Sequence, residues 1–150
     1  MKNLLAPNTQ HEILTRIERL KPDSKPLWGK MNINQALRHM KLFFDIALGE
    51  LDPTPAKIPP IPIRVLKFMM LNVKLPKSFP VPFNELDLTK NNISPTDFET
   101  EKNNLKRALE KFAAANSFIP EHKIAGKFSR DDWGKLGYNH TDHHLRQFGA

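Results

Sequence analysis

The chain has no cysteine among its 150 residues. That excludes disulfides, thiolate metal ligands and a cysteine nucleophile, and it accords with a reducing, cytoplasmic setting. No apolar run is long enough to span a bilayer. The opening stretch, MKNLLAPNTQHEIL, carries only a short apolar patch without a secretory core. The expectation is a soluble, cytoplasmic protein. An arginine-rich helix and the aromatic–basic interleaving of nucleic-acid modules are also missing, so no nucleic-acid partner is expected. Acidic residues are absent from 53–82, a segment that holds eight of the thirteen prolines and five cations, Lys57, Arg64, Lys67, Lys74 and Lys77.

What is present suits a single domain, residues 1–150, with a real core: 39% of residues are apolar and two are tryptophan. The net charge of +7 is uneven. Residues 1–75 carry 12 Lys and Arg against 6 Asp and Glu, whereas residues 76–150 carry 11 against 10. The basic first half would attract an anionic small molecule, a membrane surface or nucleic acid, and charge alone does not choose among them.

Helical periodicity dominates. Asn8–Leu20 reads as a first helix with Ile13, Leu14, Ile17 and Leu20 on its apolar stripe, stopped by Pro22. His11 falls beside that stripe and reads as a surface residue. A second helix runs from Asn32 to Leu48. Its polar residues Asn34, Arg38, Lys41 and Asp45 share one narrow face, and the wide apolar arc opposite implies more than one neighbour. His39 lies within that arc, with Gln35 and Asn32 on nearly the same line. Within 53–82, IRVLKFMMLNV at 63–73 reads as a short, nearly all-apolar helix held between extended proline-rich connections. A long connection of this kind is either a lid over a site or an interface, including that of a homodimer. Ser94 reads as the cap of a further helix, with Pro95 in its first turn, Asp97 closing a capping box and Phe98, Leu105, Leu109 and Phe112 on its core face.

The last stretch, Ser129–Gly149, reads as the organising helix. Ser129 and Asp132 form a capping box, Asp131 and Asp132 suit the positive end of the helix dipole, and Gly149 stops the helix. Trp133, Leu136, Gly137, His140, His144 and Gln147 share one stripe. His140 and His144 leave that face about 6 Å apart at Cβ, a workable bite for one metal ion. The competing reading is a set of hydrogen-bonded core and surface histidines. His39 likewise is either a core histidine bonded to a backbone carbonyl or a third ligand to that pair. Four principal helices with a long excursion between the second and third predict an all-α, four-helix bundle with one long crossover.

Residues 122–149, HKIAGKFSRDDWGKLGYNHTDHHLRQFG, closely resemble the C-terminal signature of an uncharacterised branch of the DinB/YfiT-like four-helix-bundle superfamily. Leu27-Trp28-Gly29-Lys30-Met31, followed by Gln35-Ala36-Leu37-Arg38-His39, is similar to the second-helix motif of the same branch. The two motifs cover about a quarter of the chain. The resemblance implies a metal triad of one histidine from the second helix and a His-x-x-x-His pair from the last, here His39, His140 and His144. Three neutral imidazoles leave a divalent ion an open position, and zinc or nickel suits nitrogen donors. Gln147, one turn beyond the pair, would orient a ligand or bound water. His143 is off the axis of the pair, and neither it nor His122 receives a role.

Characterised members of the superfamily include transferases and isomerases that use low-molecular-weight thiols. The resemblance therefore implies a metal-dependent enzyme, foremost a thiol S-transferase drawing its sulfur from an anionic cosubstrate, which a cysteine-free chain could serve. A metal-dependent hydrolase, and a binding module with a structural metal, stand as the alternatives.

Overall fold

The second helix starts where two side chains bond each other's backbone. The Gln35 amide donates to Asn32 Oδ1 and the Asn32 amide donates to Gln35 Oε1, each at 2.9 Å, which satisfies two donors the helix itself leaves orphaned. The computed structural model describes residues 1–58, 60–77 and 79–150; Pro59 and Ser78, both within the 53–82 segment, lie outside the described residues. Among the described residues the fold is mostly helical, with five α-helices: α1 (Pro7–Glu18), α2 (Ile33–Ala47), α3 (Ile63–Asn72), α4 (Phe98–Ala114) and α5 (Arg130–Gln147). A 3₁₀ turn, Asn84–Leu86, and a two-residue antiparallel hairpin, β1 (Glu121–His122) with β2 (Gly126–Lys127), complete it. No described helix is long and apolar enough to cross a membrane.

The capping signals of α5 act as its sequence implies. The Asp132 amide donates to Ser129 Oγ at 3.1 Å, and the Ser129 amide donates to Asp132 Oδ2 at 3.0 Å. At the far end Gly149 takes a left-handed φ of +73°. Pro7 occupies the first turn of α1, where its missing N–H costs nothing. The expectation for the fourth helix is corrected: it begins at Phe98 with Asp97 as the flanking residue, not at a Ser94 cap. The carbonyls of Ile93 and Pro95 accept from Gln35 Nε2 at 2.9 Å and Asn34 Nδ2 at 3.0 Å. Those tertiary bonds hold 93–97 extended and delay the helix. The hairpin lies in the connection between α4 and α5.

Helix α2 lies against α4 and α5, α1 lies against the same two, and α3 lies against α5. The apolar arc of α2 thus serves more than one neighbour. Phe44, Leu37, Phe112, Trp133, Ile13 and Ile17 are almost wholly buried between these helices, each removal from water worth about 1.5–3 kcal/mol for an aliphatic or phenylalanine side chain. The narrow polar face of α2 is used too. Arg38 meets Glu101 of α4 through two hydrogen bonds, 2.5 and 3.1 Å. Asp142 of α5 is shared between Arg16 of α1 and Arg146, both at 2.8 Å.

His122 is 3% exposed, packed among the rings of Phe83, Phe128 and Trp133. Its Nδ1 is buried without a partner among the described residues, and burial lowers its pKa from 6.5 to about 4. Between those values the unfolded chain takes up a proton that the folded chain refuses. Stability is therefore complete above pH 6.5 and falls toward pH 4, by about 3 kcal/mol for this group. His122→Phe is expected to remove that share of the acid sensitivity, read as a smaller difference between urea midpoints at pH 7 and pH 5 than in the parent chain.

Candidate metal centre

His39 projects from the middle of α2, and His140 and His144 from successive turns of α5. The three are brought together, with one ring nitrogen of each within 4.8 Å of the others. This group is able to bind a metal ion. His39 Nε2 stands 2.9 Å from His140 Nε2. Donors on a tetrahedral ion stand roughly 3.3 Å apart, given bonds of about 2.0–2.1 Å, so this pair is a few tenths of an ångström closer than an ion would hold it. His140 is held as a slab, stacked on Phe43 at 4.5 Å and on His39 at 4.9 Å between centroids. His11, by contrast, is exposed on α1.

Backbone carbonyls decide which nitrogens face inward. His39 Nδ1 is 2.8 Å from the Leu86 carbonyl, and a carbonyl only accepts, so Nδ1 carries the proton and Nε2 presents a lone pair. Gln147 Nε2 donates to the Trp28 carbonyl at 2.7 Å, which turns Gln147 Oε1 toward His144 Nδ1 at 2.9 Å. His144 Nδ1 must then donate, and its Nε2 also is a lone pair. Gln147 thus bonds and orients His144, one of the three candidate ligands. His140 Nδ1 has no partner among the described residues.

The clamp on Gln147 needs a glycine. Gly29 has φ of +79°, and a Cβ there would stand 2.6 Å from Gln147 Nε2. Only glycine fits both the dihedral and the approach. The Leu27 amide adds a bond to the Gln147 carbonyl at 2.7 Å, so the connector before α2 is stitched to the end of α5.

All three imidazoles are neutral at ordinary pH. Burial lowers the His39 pKa to about 4 against the opposing bond to Leu86. Burial first, and repulsion from the neighbouring imidazoles second, hold His140 and His144 well below the usual histidine range. Neutral imidazole is the form that donates to a metal.

A pocket of about 440 Å³ opens onto the group. Lys30, Lys77 and Lys90 line it with a single carboxylate, Asp87, leaving a local excess of two positive charges. Lys77 also lies over the Trp28 ring at 5.0 Å. His143 lines the same pocket, its Nδ1 3.2 Å from the Leu75 carbonyl.

The cations of 53–82 do not all face this pocket. Of the five in 53–82, Lys77 reaches the pocket; Lys67 is paired with Asp132 at 2.9 Å, and Arg64 and Lys74 point to solvent elsewhere. The reason is how α3 seats. It buries Leu66, Met70 and Leu71, and Asn139 of α5 donates to the Met70 and Val73 carbonyls, each at 2.8 Å. Phe68, on the opposite side, is 61% exposed. The helix packs beside α5 instead of covering the histidines, while Leu75, Phe79 and Pro82 beyond it form the pocket wall. Sequence reading missed Lys30, Lys90, Asn139 and the Leu86 carbonyl. The first three are ordinary polar letters until the chain is folded, and a carbonyl has no letter at all.

A family model described as "Protein of unknown function (DUF1569)" matches residues 2–150. No curated protein and no solved structure matches the chain.

Alanine at His39, His140 or His144 is expected to abolish stoichiometric divalent-metal retention by elemental analysis, while His11→Ala keeps it. Gln147→Leu, which frees His144 to turn, should weaken metal affinity about ten- to a hundredfold. Full retention by His39→Ala would remove α2 from the site.

Proposed function

We propose a function for a chain that belongs to the DUF1569 family: a metal-dependent enzyme acting on a small anionic substrate, with thiol S-transfer as its chemistry. The observation carrying this reading is the pair of carbonyl-anchored imidazoles, His39 and His144, whose unprotonated Nε2 atoms converge with His140. Helices α1, α2, α4 and α5 each touch two others of the four, an arrangement that supports the DinB/YfiT-like four-helix bundle suggested by the two sequence motifs. The step from that superfamily to a reaction is analogy, and the chemistry of the pocket has to carry it.

His39, His140 and His144 would hold the ion, zinc or nickel by donor type. A divalent ion there supplies Lewis acidity, which favours the deprotonated form of a thiol or water. The chain's own residues do the rest. Lys30, Lys77 and Lys90 draw in an anionic molecule and hold its charged end at the rim. Leu75, Phe79 and Pro82 keep water from the inner wall. His143 donates from Nδ1 to Leu75, so its Nε2, without a partner among the described residues, can take the proton a thiol gives up. The absence of cysteine is no obstacle, because the cosubstrate brings the sulfur.

The pocket favours this reading over a structural metal, whose site is closed. Chelated protein is expected to keep its helical circular dichroism and a cooperative melt at somewhat lower temperature, since Phe44, Phe112, Trp133 and the other buried apolar side chains pack without the ion; wholesale unfolding would restore the structural reading. The reaction class is tested on cobalt-substituted protein. Glutathione should add a sulfur-to-metal charge-transfer band, and the Lys30→Gln, Lys77→Gln, Lys90→Gln triple variant should bind it several-fold more weakly at low salt, with the gap closing as salt rises. A cobalt spectrum indifferent to thiols would transfer the proposal to hydrolysis.

A further inference from the structure

Adjoining the pocket at His140 lies a second cavity of about 50 Å³. Leu75, Phe79, Pro82, Leu86 and His140 line both spaces, so the two adjoin there. The remaining wall is Phe43, Met70, Phe83, Leu136 and the flat ring of His122. Apart from the two histidines, every lining residue is apolar. His122 offers no charge, because burial keeps it neutral until about pH 4.

Two physical points bear on such a space. A cavity walled by eight apolar side chains favours an apolar guest, and only the two histidine rings could offer water a partner. A void also forfeits dispersion contacts along its lining, a cost the fold carries here. The cavity adjoins the three-histidine group rather than lying at random. Lys30, Lys77 and Lys90 line the same pocket as the imidazoles. The site thus combines cations, imidazoles and an adjoining apolar recess.

We propose that the recess is an apolar subsite, which receives a short alkyl or aryl group of an anionic substrate whose reacting atom sits at the three histidines. This deepens the function proposed above and rests on it. A water-sized guest needs about 10–15 Å³ of such volume, so the recess admits roughly three or four non-hydrogen atoms. The substrate class is thus a small anion with a compact apolar substituent next to its reacting atom. A purely polar thiol would leave the recess empty.

The test uses straight-chain hydroxamates of two, four, six and eight carbons, whose head groups bind divalent metals, titrated calorimetrically into zinc-loaded protein of measured metal content. Affinity is expected to rise about fourfold per methylene up to roughly four carbons and then level off or fall. Met70→Ala enlarges the recess from the α3 side and should move the break toward six carbons without changing metal content or affinity for the two-carbon probe. Phe83→Leu, on the opposite wall, should do the same and serves if Met70→Ala fails to fold. Full metal content with affinity independent of chain length overturns the subsite alone. So does a steady rise through eight carbons that neither variant alters, because the chain would then lie in the open mouth. A protein that holds no metal overturns the function proposed above, and the subsite with it.

Discussion

The structure depends on bringing two unprotonated imidazole nitrogens and a third ring together between α2 and α5. His39 Nε2 and His140 Nε2 approach to 2.9 Å, a contact that two helices reach only when their axes are held close and their rotation is set. Desolvation makes the arrangement costly to hold loosely, since a buried ring nitrogen without a partner loses its bond to water. The Leu86 carbonyl settles His39, and Gln147 with the Trp28 carbonyl settles His144. These bonds tie the 3₁₀ turn and the connector before α2 to the group, so segments without regular helical structure are held as firmly as the helices.

The remaining contacts support that approach. Arg38 and Glu101 lock α2 to α4, and Asp142 with Arg16 locks α1 to α5, which leaves α2 and α5 little freedom to slide. Exposed pairs are worth little; here the Glu101 and Asp142 carboxylates are buried, so removing one partner would strand a charge. Helix α3 is fastened to α5 by Asn139 and leaves the mouth of the pocket open. Its contribution to the site is indirect: it supports the chain from Leu75 to Pro82 that forms the wall.

The histidine triad was legible in letters because helical period is local. His140 and His144 must share a face of any helix that contains them, and the Ser129–Asp132 box, present in the structure, says where that helix begins. His39 was legible as buried, since it lies in an apolar arc. That the three meet came from the resemblance to the DinB/YfiT-like superfamily, not from spacing. Charge counted by segment does not tell which cations reach the pocket. Arg64 and Lys67 lie on α3, which contributes no residue to its lining, whereas Lys30 and Lys90 arrive there from distant segments.

By itself the sequence determined the principal helices, the capping box of α5, the stripe carrying His140 and His144, and the absence of any protein thiol. These follow from periodicities and chemistry that act within a few residues. Tertiary structure decided the start of α4, through carbonyls taken by Asn34 and Gln35, and the tautomers of His39 and His144, through carbonyls of Leu86 and Trp28. It also decided which cations face the pocket and where the core is left unfilled. Each of these depends on groups far apart in the chain, and backbone carbonyls and empty volume have no representation in a string of side chains.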